Sequence, residues 1–484
     1  MHERVFDEVK RHAEILQWRD MQRTAHVFIA ALLAGVSLAA GQSAVREVAL
    51  VITNGTIVTV DGDDRVLSPG AVAIDGRDIV AVDGVDEIAK QFRGRETIEA
   101  WGSVIMPGLI NTHTHAPMVM YRGLADDLAL MEWLQKYIFP AEARTVTPEF
   151  VRAGTRLAAL EMIQSGTTTY ADMYYFEEEI ARETRSAGLR GVLGQTIIQF
   201  PAPDAKTPAD ALVRTEAFIN EFKDDPLITP AVAPHAMYTL DGPTLMASRE
   251  LAKRHRVPTL IHLAETADEA KTAQERGKTS PVAYLEGLGF LGPGVLAAHS
   301  VWVTAPEIAA LKTLGVAVSH NPESNMKLAS GTAPVPGYLE AGVAVGLGTD
   351  GAASNNDLDM FEAMRTASFL HKLQTNDPRA VGARTVLRMA TIGGARALGM
   401  ERRLGSLEAG KRADLIIVSM SSARQTPMYD PISHLVYTTT GADVHTTIVN
   451  GKVLMRNRRV LTLDENAILQ EARLLSEKVK LAVK

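Results

Sequence analysis

Between Pro107 and about Arg402, short apolar runs alternate with longer stretches whose apolar positions recur at helical spacing. The apolar runs end at His115, Asp172, Gln195, His235, His262, His299, His320 and Asp350. Eight strand ends separated by helical patterns predict parallel strands joined by helices, the count of a closed β/α barrel. Two helices read clearly: Pro148 to Ser165 is closed by Gly166, and Asp357 to Leu373 is amphipathic with aspartate at its start. Barrels of this kind carry chemistry at the C-terminal ends of their strands, where these polar residues cluster.

The flanks have another character. Leu50-Val51-Ile52 runs into an expected turn at Asn54-Gly55 and resumes at Ile57–Val60. Ala71–Ile74 and Ile79–Val82 flank Asp75-Gly76, a hairpin signal. Matching apolar segments return at Ala413–Val418 and Thr446–Leu454. The expected architecture is therefore α/β: a (β/α)8 barrel over 107–402, with a small β-sandwich domain built from both chain ends, 45–106 and 403–463. A charged helix at 464–484 follows. Residues 1–44 read as a leader. From Met21 a basic start, an apolar run Val27–Ala40 and a small-residue end mark a secretory signal peptide, 21–41, with cleavage near Ala39-Ala40-Gly41. The run of about 14 residues falls short of the ~20 that span a membrane. The expectation is a periplasmic or secreted protein without a stable span, with a cytoplasmic one as the alternative.

Composition narrows the chemistry. With 46% hydrophobic and 22% charged residues the 484-residue chain is an ordinary globular one. Its net charge of −7 gives no basic footprint for nucleic acid. It contains no cysteine, which excludes thiolate ligands and a cysteine nucleophile, so any metal is held by His, Asp or Glu.

The strongest candidate site begins with the apolar run Val104–Ile110 that rises to His113-Thr114-His115. Residues i and i+2 of a strand share a face, so the two imidazoles project together and can share one divalent metal. Alone, such a pair is more often two solvated loop histidines; the strand before it and the later strand-end histidines change the weight. His262 opens an H-x-x-E with Glu265, His299 ends another apolar run, and Asp350 ends a third. His113, His115, His262 and Asp350 together offer three nitrogens and one oxygen, a donor set suited to one Zn²⁺, or to Fe²⁺ with a position left for water.

The longer motifs carry a resemblance. They are Pro107–Pro117, Arg122–Asp127 with Glu132-Trp133-Leu134, Pro234-His235, His262–Glu265, Ser319–Leu328 and Gly348–Asn356. In these the chain resembles the amidohydrolase superfamily and, within it, the methylthioadenosine/S-adenosylhomocysteine deaminase branch, over about residues 49–455. The resemblance implies one divalent metal on His113, His115, His262 and Asp350, which lowers the pKa of a water. It implies Asp350 as acceptor of that water's proton, Glu265 as the proton shuttle to the purine ring nitrogen, and His299 as a hydrogen-bond partner of the attacking oxygen. Glu142 then meets ribose hydroxyls and His235 the nucleoside, while Trp133 either walls the base or merely packs. His320 supports the rim, and His255 and His371 read as exposed or capping residues.

One departure bears on substrate. Members of this branch that accept the charged homocysteine tail often carry arginine on the third strand or in the loop after it. This chain has Gln195 there, then Lys206 in the loop. A glutamine does not neutralise a carboxylate as an arginine fork does. With Gln195 expected to point inward, the pocket is expected to favour neutral 5′ groups. The implied activity is hydrolytic deamination of an adenine nucleoside (5-methylthioadenosine, adenosine or S-adenosylhomocysteine). One alternative is hydrolysis of another aminated or chlorinated heterocycle such as a triazine; another is a non-catalytic scaffold, against which the complete donor set argues. The partner in either catalytic case is a small molecule, and homo-oligomerisation stays open.

Overall fold

The computed structural model describes residues 8–14, 17–18, 21 and 45–483. The expected export segment lies, apart from Met21, outside the described residues. Eight parallel strands close a barrel: Leu109–Thr114, Thr167–Tyr174, Arg190–Ile197, Ile228–Pro234, Thr259–Leu263, Val295–His299, Ala317–His320 and Val345–Leu347. Leu347 opposite Asn111 joins the last strand to the first. These are the eight strands the apolar runs predict. Helices cover the outside, as the alternation requires. The helix Pro148–Ser165 starts at Thr147, whose hydroxyl accepts the Phe150 N–H, and ends at Gly166 with φ of 89°. A Cβ at Gly166 would lie 2.9 Å from the Ile416 side chain, so glycine serves both the left-handed cap and the close approach of the neighbouring sheet.

That sheet is built from both chain ends. It joins Arg46–Val58, Val66–Asp75, Asp78–Gly84, Phe92–Glu99 and Ser103–Pro107 to Leu415–Ser419, Val444–Val449, Lys452–Arg456 and Arg459–Val460. The two contributions meet where Met106 pairs antiparallel with Ile416. Period-two alternation divides the joint. Ile105, Leu415 and Ile417 pack with Ile52, Ile57, Val72 and Ile74 in the sheet's own core. Val104, Met106, Ile416 and Val418 face the barrel.

Asn54-Gly55 does not reverse the chain. Arg46–Val58 is one strand with a register shift between Ile52 and Gly55, and Asn54 takes φ of 65°. Because Val66–Asp75 accompanies it on both sides, the left-handed residue makes a bulge instead of a turn. Asp75-Gly76 is the hairpin its sequence indicates.

Barrel and sheet are also joined by a buried ion pair. Arg190 donates from Nε to Asp414 Oδ2 at 2.9 Å and from Nη2 to Oδ1 at 3.2 Å. The Asn450 N–H donates to the same carboxylate at 2.6 Å, and Arg190 Nη1 reaches the Pro226 carbonyl at 3.0 Å. The last helix, Glu465–Val483, lies on Pro148–Ser165, with Arg156 holding Glu471 at 2.8 Å. Among the described residues no helix is long and apolar enough to cross a membrane.

Candidate active site

The first barrel strand delivers His113 from its end and His115 one step beyond. His262 comes from the fifth strand and His299 from the last residue of the sixth; Asp350 lies three residues past the eighth. Ala264, His299 and Asp350 adopt left-handed backbone, φ 49°, 68° and 64°, so three of these turns hold non-glycine residues in a costly conformation. Such strain concentrates where side chains are aimed at a common point.

The rings face one another. His113 lies 4.9 Å from His115 and 5.0 Å from His262 between ring centroids. His115 Nδ1 lies 2.6 Å from the Met173 carbonyl and His262 Nδ1 lies 2.8 Å from the His235 carbonyl. A carbonyl only accepts, so each Nδ1 carries a hydrogen and Nε2 is the atom through which each ring, once neutral, would bind a cation. Those two Nε2 atoms are 3.4 Å apart. His113 Nε2 is buried with no hydrogen-bond partner. Asp350 Oδ1 stands 3.5 Å from His113 Nε2 and 3.3 Å from His115 Nε2, while Ser324 and the Gly351 N–H donate to its two oxygens at 2.7 Å. Convergent lone pairs, one of them orphaned, beside a carboxylate fit a divalent cation.

The electrostatics agree. Burial pushes His113 down to about 4, so its ring is neutral. Burial opposes charge on His115, yet Asp350 keeps it up at about 9. Burial alone would raise Asp350, but His113 and His115 hold it well below the usual carboxylate range.

Beside this centre opens a concave pocket. Its roof comes from one segment: Leu130, Trp133, Leu134, Ile138 and Phe139. Trp133 thus walls the pocket. Glu142, His235, Glu265, His299 and Asp350 line it too, with Tyr174, Thr196 and Tyr238, which the sequence did not single out. Burial raises the Glu265 carboxyl and pushes Glu142 up to about 7. His235 is pushed down to about 3 by burial. His299 Nδ1 lies 2.8 Å from Asn325 Oδ1, which leaves its Nε2 towards Glu265 Oε2 at 3.7 Å and Asp350 Oδ2 at 3.9 Å.

Two expectations are corrected. Gln195 does not point into the pocket: its amide donates to Asp204 at 2.7 Å and its oxygen accepts the Glu177 N–H. The third strand runs on to Ile197, and alternation turns Thr196 inward and Gln195 outward. Lys206 is exposed and lines no part of the pocket. His371 is neither exposed nor a cap. It is fully buried with Nε2 3.1 Å from His320 Nε2, because the helix Met360–Thr375 lays that face on the barrel. His255 is half-buried against Glu216 at 2.9 Å.

Strand-end histidines around a closed barrel, with a carboxylate at the eighth strand and a glutamate at the fifth, make a candidate metal site beside a candidate acid–base group. The amidohydrolase family matches residues 104–454, and the chain belongs to it. It is 49% identical over 431 residues, 89% of this chain and 98% of the relative, to a 5-methylthioadenosine/S-adenosylhomocysteine deaminase of Syntrophobacter fumaroxidans. It is 46% identical over 433 residues to a 5'-deoxyadenosine deaminase of Methanosarcina mazei, covering 89% of this chain and 98% of that one. Among solved structures, a zinc-bound adenosine deaminase from Xanthomonas campestris superposes with a TM-score of 0.89 at 39% identity, over 90% of this chain and all of that one.

Proposed function

We propose that this protein deaminates adenine nucleosides whose 5′ substituent carries no charge. The chain is a hydrolase of carbon–nitrogen bonds in cyclic amidines, as its family and relatives are. The observation that carries the finer reading is the pocket lining, where Glu142, Glu265 and Asp350 meet aromatic and aliphatic walls and no lysine or arginine.

His113, His115, His262 and Asp350 would hold a divalent ion, zinc being the ion in the Xanthomonas relative. Bound there, it supplies Lewis acidity and makes a water nucleophilic near neutral pH. The remaining work falls to side chains. Asp350 accepts a proton from the water. Glu265, whose carboxyl burial raises, donates to the ring nitrogen next to C6 as that carbon becomes tetrahedral. His299 turns its bare Nε2 to the attacking oxygen. The C6–N bond breaks and ammonia leaves. One water proton ends on the ring nitrogen, the other on the departing amine, and the 6-oxo purine remains. Glu142, ionised above about pH 7, accepts hydrogen bonds from ribose hydroxyls.

Tail selectivity follows from the same lining. A carboxylate brought beside apolar walls without a cation is costly. If only about 1.4 kcal/mol of that cost is felt, kcat/KM for 5-methylthioadenosine or 5′-deoxyadenosine exceeds that for S-adenosylhomocysteine about 10-fold. The test is ammonia release by zinc-loaded protein from these nucleosides and adenosine, set beside chloride release from atrazine. No ammonia from any nucleoside ends the reading, and equal efficiency with the charged tail ends its finer part.

A further inference from the structure

We infer that Glu269, which does not line the pocket, is a positioning residue that holds Glu265 at its working place; the inference rests on Glu265 being the proton shuttle. The fifth strand ends at Leu263, and Ala264 then turns through left-handed backbone. Such a turn makes successive N–H groups converge into a concavity that receives an anion. The Glu269 carboxylate, 4% exposed, fills it. It accepts the N–H of Ala264 at 3.1 Å, of Glu265 at 2.6 Å and of Thr266 at 3.4 Å. On the other side, the Ala264 carbonyl accepts the N–H groups of Val301 at 3.0 Å and Trp302 at 2.9 Å. Those two residues follow His299 closely along the chain.

A single residue, Ala264, is therefore fixed from both sides. Its N–H is held by Glu269, and its carbonyl is tied to the loop that carries His299. Glu265 stands next in sequence, its Oε2 3.7 Å from His299 Nε2. Within the site itself Glu265 has little to fix it: among the described residues only the Ser330 hydroxyl donates to its carboxylate, at 3.3 Å. Orientation of the shuttle thus depends on its backbone, and the backbone depends on Glu269. Glutamine at 269 keeps the shape but replaces one acceptor oxygen with a donor aimed at N–H groups.

The test is a double-mutant cycle in the zinc-loaded enzyme with 5-methylthioadenosine. Glu269→Gln should lower kcat about 10- to 100-fold, the scale of a misplaced catalytic group, with KM within about 2-fold and metal content unchanged. In a Glu265→Gln background, where there is no shuttle to position, the same substitution should cost nothing further. Glu269→Asp, which keeps both acceptor oxygens, should recover part of the rate and carries the same cycle if the glutamine variant does not fold. Wild-type kcat in Glu269→Gln overturns the inference, as does an equal loss in both backgrounds, which is what a merely structural role gives. A Glu265→Gln enzyme with wild-type turnover would instead remove the shuttle reading beneath it.

Discussion

Charge is buried in two regions of this molecule with opposite arrangements. At the seam between barrel and sheet, Asp414 accepts two bonds from Arg190 and one from the Asn450 N–H, and Arg190 also reaches the Pro226 carbonyl. At the catalytic rim, Glu142, Glu265 and Asp350 are buried as deeply, yet among the described residues no arginine or lysine lines the pocket. Complete pairing makes the seam a structural joint. At the rim, burial without a cation leaves Glu142 and Glu265 with raised pKa values, ready to exchange protons, and Asp350 facing imidazoles. Burial is common to both regions; the partner decides between stability and chemistry.

The largest effect that bears on this contrast is loss of the rim's cation site. His113→Ala and Asp350→Ala should each remove metal and turnover together, read by metal analysis beside ammonia release. Full activity in a metal-free variant would break the contrast. Next comes Glu265→Gln, which should keep its metal and lose about 10²–10⁴ in kcat. Near wild-type turnover there would move the proton transfer elsewhere.

At the seam the expected loss is one of stability. Asp414→Ala strands the Arg190 guanidinium, and denaturant unfolding should report about 3–5 kcal/mol less stability with kcat of the folded enzyme retained. A drop in kcat at unchanged stability would reverse the assignment of the two regions.

The smallest effect concerns a buried carboxyl to which only the Thr366 hydroxyl donates among the described residues, at 3.1 Å. Burial, with Asp357, Glu362 and Asp359 nearby, pushes Glu323 up to about 9. The folded chain therefore binds this proton more tightly than the unfolded one. Stability declines as pH rises from about 4.5 towards 9, where the unfolded carboxyl ionises first. Glu323→Gln should be more stable than wild type at pH 8 and no more stable below pH 4. An equal difference at both pH values would show that this group does not titrate as its surroundings require.

Most of the rim was legible because each site residue closes an apolar run, and strand alternation assigns His113 and His115 to one face. The same alternation explains the failure at Gln195. A strand end placed at Gln195 instead of Ile197 passes over Thr196, the next residue, and adjacent residues of a strand face opposite ways. Glu269 was beyond reach for another reason: its partners are backbone N–H groups, which leave no mark in residue type. The Asn54-Gly55 bulge was hidden because the same dipeptide serves a turn or a bulge, and only the companion strand Val66–Asp75 chooses. In the segment Leu130 to Phe139, the sequence leaves Trp133 as either a wall of the base or a packing residue, and only the fold, which lines the pocket with it, decides.

The sheet's divided origin has a consequence for how the protein is made. Met106 and its antiparallel partner Ile416 stand 310 positions apart. At about 5–20 residues per second, the ribosome needs roughly 15–60 s to supply the second after the first. Through that interval the strand Ser103–Pro107 has finished emerging and presents an open, apolar edge, while the whole barrel is threaded out behind it. Unpaired edges of this kind recruit other strands. Nascent chains should therefore be most prone to misassociate after the barrel segment has appeared and before Leu415–Ser419 has, and a translational pause placed between those points should lower the yield of folded protein.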